Sequence, residues 1–141
     1  MKKMFGFLLV ASSLLLSSAA QAQQFRAKAD IPFDFVIANH AYKAGSYDIK
    51  KLAPGSQLLT VYSEDGGGKE TIVSSQPCAE QSWAKSTKLV FRRVGSTYFL
   101  YQVWVEGRQF GSQFRTPKMQ TELAQNGTKS EDVIVAAVLV K

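Results

Sequence analysis

From Phe25 onward apolar and polar positions alternate with a period of two. Phe25, Ala27, Ala29 and Ile31 alternate with Arg26, Lys28 and Asp30, which predicts a half-buried strand. Pro32 cannot donate to a ladder and marks an edge, bulge or bend; Phe33 to Ile37 then resumes the alternation. Ala38 to Gly45, with Asn39 and His40, reads as a turn region. Ser46 to Leu52 is a strand with Tyr47 and Ile49 on one face, and Pro54-Gly55 turns the chain into a strand over Gln57 to Ser63. Glu64 to Lys69 is a glycine-rich hairpin loop, and Glu70 to Ser75 returns from it. Gln76 to Ser86 reads as irregular.

Lys88 to Val94 and Thr97 to Glu106 predict a second hairpin around Gly95-Ser96. Its second strand is apolar on both faces, with Phe99, Tyr101, Val103 and Val105 against Tyr98, Leu100 and Trp104, as for a strand that is central or covered on both sides. Gly107 to Gly111 is another turn region. Thr116 as N-cap and Pro117 at the first helical position start a short helix that runs through Gln125 and ends at Asn126-Gly127. Val133 to Val140 predicts a final strand buried on both faces; Ala136 and Ala137 in its middle keep a helix as the alternative. The sum is a mainly β fold of seven or eight strands with one short helix near the C-terminus. Short connections make the strands antiparallel by adjacency, and the expected architecture is an antiparallel β-sandwich or a small β-barrel.

The residues before Phe25 follow a different pattern. Met1-Lys2-Lys3 is a short positive start, Met4 to Leu16 is an apolar core, and Ser17 to Ala22 are small or polar. This is the layout of a cleavable secretory signal. Ala20-Gln21-Ala22 places cleavage before Gln23, with Ser18-Ala19-Ala20 as the second choice. The apolar core falls short of the roughly 20 residues a spanning helix needs, and no cysteine follows it to carry a lipid anchor. The expected organisation is a signal peptide over 1–22 and a single β domain over 23–141, periplasmic or secreted.

Charge and cysteine content narrow the reading. The chain has 17 Lys and Arg against 11 Asp and Glu, and two of the lysines leave with the signal. That mild basic excess contains no basic run. The adjacent Arg92 and Arg93 point to opposite faces of a strand, so nucleic-acid binding is not expected. Cys78 is the one cysteine. Although export leads to an oxidising space, an internal disulfide is impossible and the fold must hold by packing. No local cation activates this thiol, and it is expected to be inert.

Ile31-Pro32-Phe33-Asp34-Phe35 followed by Ala44-Gly45-Ser46-Tyr47 resembles the opening of a family of small exported bacterial β-proteins of unknown function. Lys88 to Arg93, with Tyr98-Phe99-Leu100 and Val103-Trp104, is similar to that family's later hairpin. The resemblance covers roughly residues 29–106 and implies export and a single β domain; it brings no activity, ligand or site residue. Ala44-Gly45-Ser46-Tyr47 also resembles a tyrosine corner, in which the hydroxyl bonds back to the backbone and pins a crossover between sheets.

Candidate chemistry is sparse. His40 is the only histidine, so a zinc site or a catalytic triad has little to build on. The carboxylates Asp34, Asp48, Glu64, Asp65 and Glu106 could in principle pair for acid–base work. However, Asp34 faces away from its flanking phenylalanines, and Glu64-Asp65 opens a turn. Gly66-Gly67-Gly68-Lys69 lacks phosphate-loop spacing and a following helix, and Asn126-Gly127-Thr128 reads as a chance glycosylation triplet. No catalytic residue, metal or cofactor is expected. The aromatics Trp83, Tyr98, Tyr101 and Trp104 are the candidates for a ligand-binding wall, with core packing as their alternative. An outer-membrane barrel is disfavoured, because it needs longer strands with a lipid-facing apolar band. The functional expectation is an exported, non-enzymatic envelope protein with a binding or structural role, its partner another envelope protein or a small apolar ligand. The alternative is a β-barrel carrier for a lipid or sugar.

Overall fold

The computed structural model describes residues 24–140; the expected signal, residues 1–22, and its cleavage position lie outside the described residues. The chain is mainly β, as its alternation predicts. In order come β1 (Arg26–Ile31), β2 (Phe35–Ile37), β3 (His40–Tyr42), β4 (Gly45–Lys51), β5 (Leu58–Ser63), β6 (Glu70–Ala79), β7 (Lys88–Val94), β8 (Thr97–Trp104), β9 (Phe110–Phe114), helix α1 (Lys118–Gln125), β10 (Ser130–Ala136) and β11 (Val138–Leu139). Ladder neighbours run β10-β7-β8-β9-β6-β5-β4-β1-β11, and β2 pairs with both β8 and β3. Ala137 alone separates β10 from β11 in the chain, although these strands stand at opposite extremes of that order.

Several expectations are corrected. There are eleven strands among the described residues rather than seven or eight, because β3 and β9 form where turns or nothing had been expected and the C-terminal run divides in two. β3 exists because Ala38, at a φ of 53°, helps reverse the chain and lays His40–Tyr42 antiparallel to β2. Adjacency did not make every pair antiparallel: β2 runs parallel to the start of β8. β6 continues past Ser75 through the stretch expected to be irregular. It changes partner midway, pairing with β5 up to Ser74 and with β9 from Ser75, so a residue run with no alternation of its own is held by β9. The helix begins one residue later than predicted, with Pro117 rather than Thr116 at its cap and no side-chain cap bond. Gly127, at a φ of 75°, follows its C-terminal end in the left-handed conformation that favours glycine there.

The C-terminal run is not buried on both faces. Val133, Val135, Ala137 and Leu139 pack against the core, whereas Ile134 and Val138 are 63% and 68% exposed. This is a strict two-residue alternation. β8, by contrast, is covered on both sides, and a bulge supplies the mechanism. Val90 pairs with Gln102 and Phe91 with Leu100, which leaves Tyr101 as the extra residue and flips the alternation past it. Leu100, Val103 and Val105 therefore all reach the main core, while Trp104 packs on the other side with Val90 and Ala84.

The main core is filled by side chains from nearly every strand, among them Ile31, Ile37, Ile49, Leu59, Val61, Leu89 and Phe91, each no more than 2% exposed. Tyr47 is buried, and its hydroxyl donates to the Lys43 carbonyl at 2.6 Å. The bond closes the short connection from β3 to β4, the backbone contact that the tyrosine-corner resemblance implied. Arg92 and Arg93 do not form a patch. They meet Asp132 and Glu131, their cross-strand partners on β10, at 3.1 and 3.0 Å.

Candidate functional site

A cleft of about 510 Å³ opens where β1 begins, β4 and β8 end, and β5 and β9 begin. Phe25, Val103 and Val105 line it, and all three are buried members of the main core. The inner face of the strands thus continues into its floor. Pro77 of β6 and Gly111 and Ser112 of β9 form a wall, and Trp83 and Phe110 also line the space. Those two aromatics are 64% and 61% exposed, well beyond what core residues of that size show. Lys51 and Arg108 bring positive charge, and Gln57 and Gln109 bring amide groups.

Local structure explains this placement. The segment between β6 and β7 is fastened to the β8–β9 turn by two backbone bonds of 2.9 Å, Ala84 N–H to the Arg108 carbonyl and Gly107 N–H to the Ala84 carbonyl. Ala84 is pressed against Trp104, and its neighbour Trp83 is left outward at the rim. Trp104 in turn requires Gly111: a Cβ there would lie 2.8 Å from the indole and 2.9 Å from the Val103 carbonyl oxygen. The Trp104 indole N–H donates to Gln102 Oε1 at 3.1 Å, and Gln102 Nε2 donates to Gln113 Oε1 at 3.0 Å, so the buried donor is satisfied. On the opposite wall the Gln24 amide bonds the Lys51 carbonyl and ties the start of the chain, with Phe25, to the end of β4. The Arg108 guanidinium lies 5.6 Å from the centre of the Phe25 ring, within cation–π range.

The four aromatics singled out from the sequence do not share this site. Trp83 lines the cleft. Trp104 is 1% exposed and belongs to the small cluster behind the wall. Tyr98 is stacked on Phe33 with ring centres 3.8 Å apart, near the start of β8. Tyr101, the bulge residue, lies under the Arg92 guanidinium at 3.9 Å. Sequence reasoning missed Phe25, Phe110, Lys51 and Arg108. Only Phe110 left a signal, as a lone aromatic between Gln109 and Gly111 in a turn-like stretch.

The carboxylates are dispersed into structural roles. Asp34 is exposed, and it accepts the Ala44 N–H at 2.9 Å and the Lys43 ammonium at 3.0 Å. The Ala44 amide first, then Lys43, holds this carboxyl below its ordinary range. Asp65 accepts the Ser46 N–H at 2.8 Å, Glu64 pairs with Lys28 at 2.5 Å, and the nearly buried Asp48 pairs with Arg26. Glu106 is tethered through its own N–H, which donates to Thr87 Oγ1 at 3.1 Å. His40 is exposed at the first position of β3 rather than in a turn. Cys78, half-buried in β6 beside the Trp104 cluster, has its thiol pushed above the ordinary value by burial, which disfavours the reactive thiolate. Among the described residues no group of three or more His, Cys, Asp or Glu could hold a metal ion, and no helix is long and apolar enough to cross a membrane.

No family model matches the chain, no curated protein matches it significantly, and no solved structure does. What the cleft offers chemically is apolar contact, two aromatic faces, positive charge and a few hydrogen-bonding groups.

Proposed function

We propose that this chain is an exported, non-enzymatic envelope protein, of the small exported β-protein family its motifs resemble, that binds a small and largely apolar ligand in the cleft between Trp83 and Phe110. The observation that carries the reading is that cleft. It has a floor of core side chains, a volume of about 510 Å³ within the usual ligand-site range of about 300–1,000 Å³, and two large aromatics held exposed beside it. Exposed aromatics concentrated at one concavity are costly to keep in water, and ligand contact offsets that cost.

We also propose that the strands wrap into a small barrel as one domain. Support comes from Ala137, the single residue between strands at the two extremes of the ladder order, and from the common set of inward side chains. The cleft is then the mouth of the barrel, a place where such folds take ligands. The filled interior puts the ligand at the mouth rather than inside the wall.

The test is fluorescence titration of the purified exported protein with the neutral apolar probe N-phenyl-1-naphthylamine. Saturable binding is expected, weakened by about tenfold or more in Trp83→Ala and in Phe110→Ser. Absence of saturable binding, or binding indifferent to both substitutions, would sink the cleft as the site. Intact mass of the same material checks export, with the mature chain expected to begin at Gln23.

A further inference from the structure

We propose that the ligand is a single-chain anionic amphiphile, with its apolar tail against Phe25, Val103 and Val105 and its carboxylate, sulfonate or phosphate beside Lys51 and Arg108. The inference rests on the cleft being a binding site and adds the chemical class of what it holds.

The lining is one-sided in charge. Among the described residues Lys51 and Arg108 belong to it, and no Asp or Glu does. The two cations also come from opposite walls, Lys51 from the end of β4 and Arg108 from the β8–β9 turn. The Arg108 guanidinium lies over the Phe25 ring at 5.6 Å. A molecule that touches the floor is therefore within a side chain's length of positive charge. Guanidinium and ammonium groups make stronger hydrogen bonds to oxyanions than to neutral oxygens, and a half-enclosed site screens that attraction less than open water does. A neutral tail alone uses the floor and leaves the cations without a counter-charge from the ligand; a cationic head meets repulsion.

The experiment compares decanoate, decanol and decyltrimethylammonium, each below its micellar concentration, by displacement of N-phenyl-1-naphthylamine from the full mature chain. Decanoate is expected to bind about tenfold more tightly than decanol, with decyltrimethylammonium weakest. The preference for decanoate should shrink with added salt and collapse in Lys51→Gln. It should persist in Lys118→Gln, which removes an exposed charge on α1 outside the cleft, and thermal midpoints of both variants check that they fold. Equal affinity for decanol and decanoate, indifferent to Lys51→Gln, would overturn the anionic class while leaving an apolar site in place. Failure of all three compounds and of the neutral probe would instead defeat the cleft reading itself. Phosphatidylglycerol vesicles form the last arm: binding to them without binding of monomeric decanoate would overturn a single-molecule ligand and assign the cations to a membrane surface.

Discussion

The two ends of β8 are both rich in aromatic and apolar side chains, yet they are finished in opposite ways. Near its start, Phe33 stacks on Tyr98 and meets Phe91 edge-on at 5.0 Å. Phe35 stacks on Tyr42 at 5.2 Å and meets Phe91 and Tyr47 edge-on. The short β2–β3 hairpin carries several of these rings and lays them over the end of the core. Near the other end, Val103 and Val105 lie in the floor of the cleft as buried core residues, 1% and 3% exposed. The β6–β7 segment buries Ala84 against the outer face of the sheet, and Trp83 and Phe110 stay exposed. Aromatic content alone does not close the end of a β-sheet; a connection that lies across it does. The covered end packs its rings against one another, and the open end leaves two large aromatics in water beside the cleft.

That contrast is sharpest in a pair of truncations. Phe91, fully buried among Phe33 and Phe35, should cost about 3–5 kcal/mol when changed to Ala, through lost burial and the cavity left behind. Trp83→Ala at the open end should stay within about 0.5 kcal/mol of the parent, since its ring is mostly in water. Denaturant unfolding of both variants reads the difference directly, and similar costs would erase the distinction between the ends.

Gly111→Ala probes the wall of the open end. The added Cβ meets the Trp104 ring and the Val103 carbonyl, so overpacking should destabilise by about 1–3 kcal/mol and shift the emission of Trp104. A native unfolding midpoint with unaltered emission would mean that this wall is slack. At the covered end Tyr47→Phe removes one part-buried hydrogen bond to Lys43 and should cost about 1 kcal/mol. An unchanged midpoint would show that the β3–β4 connection does not depend on that hydroxyl.

Legibility followed the range of the interactions. β1, β4, β5 and β7 could be read from alternation and turn residues, because a half-buried strand writes its period locally, and β8 could be read as an apolar run bounded by turn residues. Tyr47 was legible as a corner only through the resemblance of Ala44-Gly45-Ser46-Tyr47 to that motif, whose bond to Lys43 spans four residues. β9 and the second half of β6 were not: Phe110 to Phe114 has weak alternation, and these segments are strands because they lie against each other, with β9 also against β8. The candidate site was the least legible part. Of the four aromatics picked out in advance, only Trp83 lines the cleft, since the bulge at Tyr101 and the tuck of Ala84 decide which face each ring takes.

By itself the sequence determined a mainly β chain, the positions of most strands, a short helix before the last of them, and a core held without a disulfide. These follow from side-chain periodicity, from Gly and Pro punctuation and from a single cysteine, all of which act over a few residues. Only the tertiary structure decided the parallel β2–β8 contact, the exchange of partners along β6, and the meeting of Phe25, Lys51, Trp83, Arg108 and Phe110 at one cleft. Those residues lie on segments far apart in sequence. They are brought together by ladder pairings whose free energy depends on both strands at once, and no local pattern encodes a partner.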